Sequence, residues 1–253
     1  MVDQFSRCEL IFGKEAIEKL KNTKIAIFGI GGVGGYVCEA LARSGVSSFV
    51  LVDDDKVCVS NINRQIIATF DSIDKYKVDC MKDRILSINP NANVEIHKCF
   101  FMPSNQDDFD FKSFDYVIDA IDTVTAKIAL VLKCNESKTP IISAMGAGNK
   151  INPTMLRVSD IYDTKVDPLS KVMRTELKKR RIKKLKVVYS IEKPLKPKIE
   201  DYNEEANKLD TRDNTKRRST PGSNAFVPST MGLIIASEVI KDLTNIRNDA
   251  PGV

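Results

Sequence analysis

The sequence predicts an α/β protein built on a doubly wound, mostly parallel sheet, with a basic C-terminal extension that binds substrate. Three observations carry that expectation. The runs KIAIFGI (24–30), SFVLVDDD (48–55) and FDYVIDAIDT (114–123) are short and nearly continuous in apolar residues, as strands buried on both faces must be. A glycine-rich turn, GIGGVGG (29–35), joins the first run to a helical stretch that closes at Gly45. The second and third runs end in acids. Strand, glycine turn, helix, strand and acid together make a right-handed βαβ unit, the opening of a Rossmann-like sheet.

The remaining elements follow in order. Residues 9–21 carry apolar positions at helical spacing until Asn22-Thr23 breaks the pattern. Residues 77–88 (KVDCMKDRILSI) predict a helix stopped at Asn89-Pro90, and NVEIHKCFF predicts a strand. The helix TAKIALVLKCNES and the strand TPIISAMGAG carry the alternation to about residue 150. This divides the chain into a nucleotide-binding region, 1–150, and an extension of the same fold, 151–253. Within the extension, residues 165–198 hold thirteen Lys or Arg against three acids. That segment is +10 in a chain whose net charge is +5, so the remainder is acidic. Residues 199–221 are polar and predict a mobile loop, and the apolar stretch 226–243 predicts a docked C-terminal helix.

Composition excludes several classes. With 253 residues, 42% of them hydrophobic and 29% charged, the chain can bury a large core and is neither disordered nor a disulfide miniprotein. No apolar run approaches the roughly 20 residues of a membrane span, and the first residues lack a signal-peptide core. The six cysteines are scattered without a CxxC pair, which argues against a four-cysteine zinc site and for a reducing, cytoplasmic setting. His97 is the one histidine, on a predicted strand. Chemistry is therefore expected from carboxylates, cations and backbone amides rather than from a histidine base.

Gly29-x-Gly31-x-x-Gly34, after a strand and opening a helix, places backbone N–H groups where a phosphate can sit at the positive helix end. Asp53, ending the next strand, can accept hydrogen bonds from a ribose. NAD, FAD and ATP all suit such a crevice. The stretch DDDKVCVSNINRQ (53–65) and Lys77 discriminate among them. Hydride transfer leaves phosphates intact, whereas attack on an α-phosphate develops charge there and on the departing pyrophosphate. Asn61, Arg64 and Lys77 suit that second task as fixed donors and charges. Asp122, in DAIDT, can hold an accompanying Mg²⁺.

These residues, GIGGVGG, the DxD at 53–55, SNINRQ (60–65), Lys77 and DAIDT (119–123), together with an early Arg7, resemble the ubiquitin-activating-like adenylating enzymes, the superfamily of ThiF and MoeB. The resemblance implies adenylation of a carboxylate by Mg-ATP. It places the nucleotide among Gly29, Gly31, Gly32, Gly34, Asp53, Asp55, Asn61, Arg64, Gln65, Lys77 and Asp122. Asp53 would take the ribose, Asn61, Arg64 and Lys77 the phosphates, and Asp122 the metal. Arg7 would act in the partner's site of a homodimer, so Arg7, Arg64, Lys77 and Asp122 form the implied catalytic set.

The second half, from GAGNKINPTMLRVSDIYD through VVYSIEKP to GSNAFVPSTMGLIIASEVIKDL, is similar to the family of tRNA threonylcarbamoyladenosine dehydratases. That similarity implies ATP-dependent cyclisation of threonylcarbamoyladenosine in the tRNA anticodon loop, with a cysteine-desulfurase or sulfur-acceptor system as a further partner. Two features agree with this branch. No cysteine follows Cys134, and capture of an acyl-adenylate by the substrate's own ureido group needs no protein thiol. The +10 segment also suits a polyanion. The alternative is activation of a ubiquitin-like sulfur-carrier protein, which shares the whole ATP site. An NAD(P) oxidoreductase leaves SNINRQ and Lys77 without a role. A non-catalytic tRNA-binding module leaves the whole phosphate-site set without one.

Overall fold

The computed structural model describes residues 2–198 and 221–246; apart from Pro221, the loop expected at 199–221 lies outside the described residues. Seven strands form one sheet: β1 (Lys24–Phe28), β2 (Ser48–Val52), β3 (Asn93–His97), β4 (Tyr116–Asp119), β5 (Ile141–Ala144), β6 (Leu156–Asp160) and β7 (Lys186–Ser190). Their order is β3-β2-β1-β4-β5-β7-β6, parallel throughout except that β6 runs antiparallel to β7 at the edge. The chain steps outward in one direction from β1 and in the other from β4. Its topological switch therefore lies between these two strands, and ligands of such sheets bind beyond the carboxyl ends there.

One face is covered by α2 (Lys14–Lys21), α3 (Gly34–Arg43), α4 (Lys77–Ile88) and α7 (Val227–Thr244), over a core that includes Leu20, Ile27, Leu41, Leu51, Met81 and Ile235. The opposite face is covered by α5 (Val124–Ser137) and α6 (Pro168–Lys179). Under α5, Phe28, Phe101, Phe109 and Phe111 pack largely edge to face. The C-terminal helix α7 lies against α3 so closely that a Cβ on Gly232 would stand 2.5 Å from the Val33 carbonyl oxygen. Its last turns are tied to the sheet through Asp242, which takes the Tyr116 hydroxyl at 2.8 Å and the Lys186 ammonium at 2.9 Å.

The structure departs from the sequence reading in two places. The helix expected over 9–21 is two helices, α1 (Ser6–Phe12) and α2, because Gly13 takes φ +83°, a left-handed conformation that favours glycine. The basic segment 165–198 is no uniform cationic surface. It contains α6 and then β7, whose Val187 and Val188 are fully buried. Its cations differ in setting: Lys186 is held within the fold by Glu238 and Asp242, whereas Lys179 and Arg180 stay exposed and share Glu176 at the surface. Among the described residues, no helix is long and apolar enough to cross a membrane.

Candidate nucleotide-binding site

The glycine turn stands at the carboxyl end of β1 and is held by contacts that exclude side chains. Gly29 has φ +93°, and a Cβ there would lie 2.6 Å from the Ala120 carbonyl oxygen; one on Gly34 would lie 1.8 Å from the Gly29 carbonyl oxygen. The first contact also joins the turn to the DAIDT stretch after β4, so both sides of the switch point meet over the same crevice. The backbone N–H groups at the start of α3 open onto it.

Asp53, beyond β2, braces the turn. Its Oδ2 accepts the Ile30 N–H at 2.6 Å and its Oδ1 accepts the Asp55 N–H at 2.8 Å. Burial pushes its carboxyl above the ordinary range, more than the Lys77 ammonium and these two N–H donors pull it down. Lys77, the first residue of α4, is 6% exposed and reaches Asp55 Oδ2 at 2.7 Å. The carboxylates of Asp53, Asp54 and Asp55 offer oxygens within 4.8 Å of one another. The ammonium expected to serve phosphates thus sits among acids, paired with Asp55.

The SNINRQ stretch folds over the turn. Asn61 is buried at the end of a short 3₁₀ turn (Val59–Asn61), and its Oδ1 accepts the Cys58 N–H at 3.2 Å. Arg64 donates through Nη1 to the Ser60 carbonyl at 2.7 Å and to Asn63 Oδ1 at 2.9 Å. Its stem lies against the turn, 3.4 Å from where a Cβ on Gly32 would be. Gln65 is buried beside Gly31, and its Oε1 has no hydrogen-bond partner among the described residues. An orphaned acceptor costs about 1–3 kcal/mol, and a ligand hydroxyl or amino group would relieve it.

Asp122 lies exposed in the β4–α5 turn, with Thr123 Oγ1 donating to its Oδ1 at 3.3 Å. Beneath it is a pair that sequence reasoning missed. Lys127 Nζ is 2.9 Å from both oxygens of Asp119, both side chains are fully buried, and Ser143 Oγ donates to Asp119 Oδ2 at 2.7 Å. Asp119 also takes the Ile121 N–H, so the pair anchors the turn that carries Asp122. The signal available was a lysine inside the apolar run TAKIALVL, four residues into the helix and eight after an acid.

A second buried pair, also missed, joins Lys150 to Asp167 at 2.6 Å, with Lys150 also donating to the Gly146 carbonyl. Asp167 caps α6 through the Ser170 N–H. Lys150 also offers its carbonyl to Asn224 Nδ2, and Asn63 Nδ2 donates to the Ser223 carbonyl. The segment entering α7 therefore bridges the loop after β5 and the Arg64 stretch. Of the expected site residues, the structure brings Gly29, Gly31, Gly32, Gly34, Asp53, Asp55, Asn61, Arg64, Gln65 and Lys77 together, with the Asp122 turn at their edge. Arg7 is apart from them, exposed on α1, whose Cys8 contacts the Arg43 carbonyl at the opposite end of α3.

Comparison with known proteins gives this crevice its context. The tRNA threonylcarbamoyladenosine dehydratase of Bacillus subtilis is 46% identical over 244 residues, 96% of this chain and 95% of that one. Two crystal structures of the tRNA N6-threonylcarbamoyladenosine dehydratase of E. coli, one in complex with ATP and one with AMP, each superpose with a TM-score of 0.84 at 32% identity. Each match covers 96% of this chain and 94% of the other. The ThiF family profile matches residues 5–252. A nucleotide crevice at the switch point, a profile match over nearly the whole chain and a full-length relative at this identity agree: the chain belongs to the ThiF family, in its tRNA threonylcarbamoyladenosine dehydratase branch.

Proposed function

We propose that this protein uses ATP to cyclise the threonylcarbamoyl group of threonylcarbamoyladenosine in tRNA, by adenylating its carboxylate. The observation that carries the proposal is the crevice itself. A glycine turn closed to side chains at positions 29 and 34, a braced Asp53, the Arg64 and Lys77 cations and an orphaned Gln65 acceptor meet beyond β1, β2 and β4. Such a site fits adenosine and its phosphates. Gln65 Oε1 takes a donor from the nucleoside, Asp53 accepts from the ribose, and the turn's N–H groups with Asn61 hold the phosphates.

The threonyl carboxylate oxygen attacks the α-phosphorus and pyrophosphate leaves. The ureido oxygen then attacks the activated carbonyl carbon, closing a five-membered ring as the ureido N–H proton is lost and AMP departs. One water's worth of atoms has left the nucleoside, drawn off by conversion of ATP to AMP and pyrophosphate. Arg64 and Lys77 stabilise the charge that builds on the phosphates in the first step, a contribution worth roughly 10²–10³ in rate per preorganised donor. Lys77 is released for this by exchanging Asp55 for phosphate. No thiol is required, because the nucleophile for the second step is tethered to the acyl group.

Asp122, an exposed hard-oxygen ligand at the crevice edge, would hold Mg²⁺, which neutralises phosphate charge when bound. Arg7 is on α1, which sits against the end of α3 away from the glycine turn, and with the exposed Leu10 and Ile11 of α1 it supports a homodimer in which it serves the partner's crevice. The six cysteines are free, which supports a reducing, cytoplasmic setting, and a cysteine-desulfurase partner is a further expectation to be tested by co-purification. The test of the mechanism is isotopic. With ¹⁸O in the threonyl carboxylate, adenylation delivers one labelled oxygen to AMP; unlabelled AMP would rule the acyl-adenylate out.

A further inference from the structure

Residues of α5 and α6 leave a cavity of about 570 Å³ between them, on the opposite side of the sheet from α7. Thr125, Ile128 and Leu132 line it from α5, and Val172, Glu176 and Arg180 from α6. The two helices run in the same direction: α5 starts beyond the carboxyl end of β4, and α6 starts at Asp167, whose Oδ2 lies 2.8 Å from where a Cβ on Gly146, just past the carboxyl end of β5, would be. The groove therefore begins at the Thr125 turn, three residues beyond Asp122, and descends along both helices away from the nucleotide crevice. Its floor is apolar, and Val172 is 45% exposed in the middle of it. Val172, Glu176, Lys179 and Arg180 follow one another at i, i+4, i+7 and i+8, so they share one face of α6.

Charge rises toward the far end. Lys178, Lys179, Arg180, Arg181, Lys183 and Lys184 are all exposed there, and Glu176 is the one acid among them, shared by Lys179 and Arg180. Arg180 is 13 residues past the Asp167 cap, roughly 20 Å along the helix at about 1.5 Å per residue. A groove with an apolar floor near the reaction centre and a cationic end one helix-length away matches an extended single strand, whose bases bury while its phosphates are neutralised. Resting on the function proposed above, we infer that the α5–α6 groove holds the stretch of unpaired tRNA adjoining the modified adenosine, with Arg180, Lys183 and Lys184 on its phosphates. This gives the basic segment a defined division of labour: Lys186 and Arg174 hold the fold, whereas the cations at the end of α6 bind RNA.

The test compares tRNA affinity and turnover in the full chain. Val172→Trp fills the groove, Thr125→Glu repels phosphate at its upper end, and Arg180→Glu/Lys183→Glu/Lys184→Glu reverses its far end. A triple variant of equal charge change on the other face, Lys14→Glu/Lys19→Glu/Lys82→Glu, is the control. The groove variants are expected to weaken tRNA binding at least tenfold and to raise the tRNA KM to match, with the ATP KM unchanged. The far-end triple is expected to flatten the log–log salt dependence of binding by about two, since a single strand loses about 0.7 per phosphate contact. The control is expected to stay within threefold of wild type. Wild-type tRNA affinity in the groove variants, as would follow if a protein helix were the natural occupant, overturns the inference, and so does an equal loss in the control. A wild-type protein that binds tRNA through this groove but leaves the nucleoside uncyclised would overturn the proposed function and not the groove.

Discussion

Replacing Lys127 by Met isolates the contribution of the buried pair beneath the β4–α5 turn. Both partners are inaccessible to solvent, and the ammonium is bonded to both oxygens of Asp119. In the variant the carboxylate keeps only two neutral donors, the Ser143 hydroxyl and the Ile121 N–H. Removing one member of a buried pair costs about 3–5 kcal/mol, because a charge is left uncompensated. At about 2–4 °C per kcal/mol in a protein of this size, the thermal midpoint is expected to fall by roughly 6–20 °C. The assay is urea unfolding at neutral pH, with Asp119→Asn added in the Lys127→Met background. Asn keeps one oxygen to accept the Ile121 N–H, presents an amide N–H that the Ser143 hydroxyl can accept, and carries no charge, so the double variant is expected to recover at least half the loss. A single-variant loss below about 1 kcal/mol, or additive losses in the double variant, would refute the account of the pair as a mutually compensating unit.

Arg64→Ala is expected to lower the rate of pyrophosphate formation by roughly 10²–10³ while leaving the thermal midpoint within a few degrees, because its bonds serve only a neighbouring carbonyl and Asn63. Gly29→Ala is expected to lose about 1–3 kcal/mol of stability and at least tenfold in ATP affinity by calorimetry, since an L side chain meets both a φ of +93° and the Ala120 carbonyl. Glu39 provides a pH test. Burial raises its carboxyl, but the Arg84 and Arg43 hydrogen bonds outweigh this and hold it below the ordinary range. A depressed folded-state value means that its stabilisation is complete above about pH 4.3 and is lost as pH falls through the folded value. Glu39→Gln is therefore expected to flatten the acid branch of the urea midpoint below that pH, with little change in slope above it.

Much of the fold was legible because its central parallel strands, β1, β2, β4 and β5, are buried on both faces, and such strands must be apolar almost without interruption. The glycine turn was legible because positions 29 and 34 have no room for a Cβ. Helix α4 was expected over residues 77–88, where it is found, since Asn89-Pro90 punctuates it. Beyond residue 150 local pattern weakened. Strand β6 is an edge strand whose apolar pattern is broken by exposed Arg157 and Val158, and in α6 the buried Ser170, Met173 and Leu177 stand among lysines and arginines that dominate the charge count. Charge counting treated Lys186 and Lys184 alike, although one is tied to Asp242 and the other faces water. The pairs Lys127–Asp119 and Lys150–Asp167 were hidden for another reason. The apolar run around Lys127 hinted at its burial, but neither partner could be read from it, because both pairs close only when separate segments meet.

Every step proposed here belongs to one reaction, and the nucleoside itself reports it. The protein is incubated with Mg-ATP and tRNA bearing threonylcarbamoyladenosine, or the same tRNA lacking that group, and the digested nucleosides are weighed. AMP and pyrophosphate are expected in amounts equal to a nucleoside one water lighter, formed only with the modified tRNA. ATP consumption that ignores the tRNA, or a modified nucleoside of unchanged mass, would overturn the cyclisation.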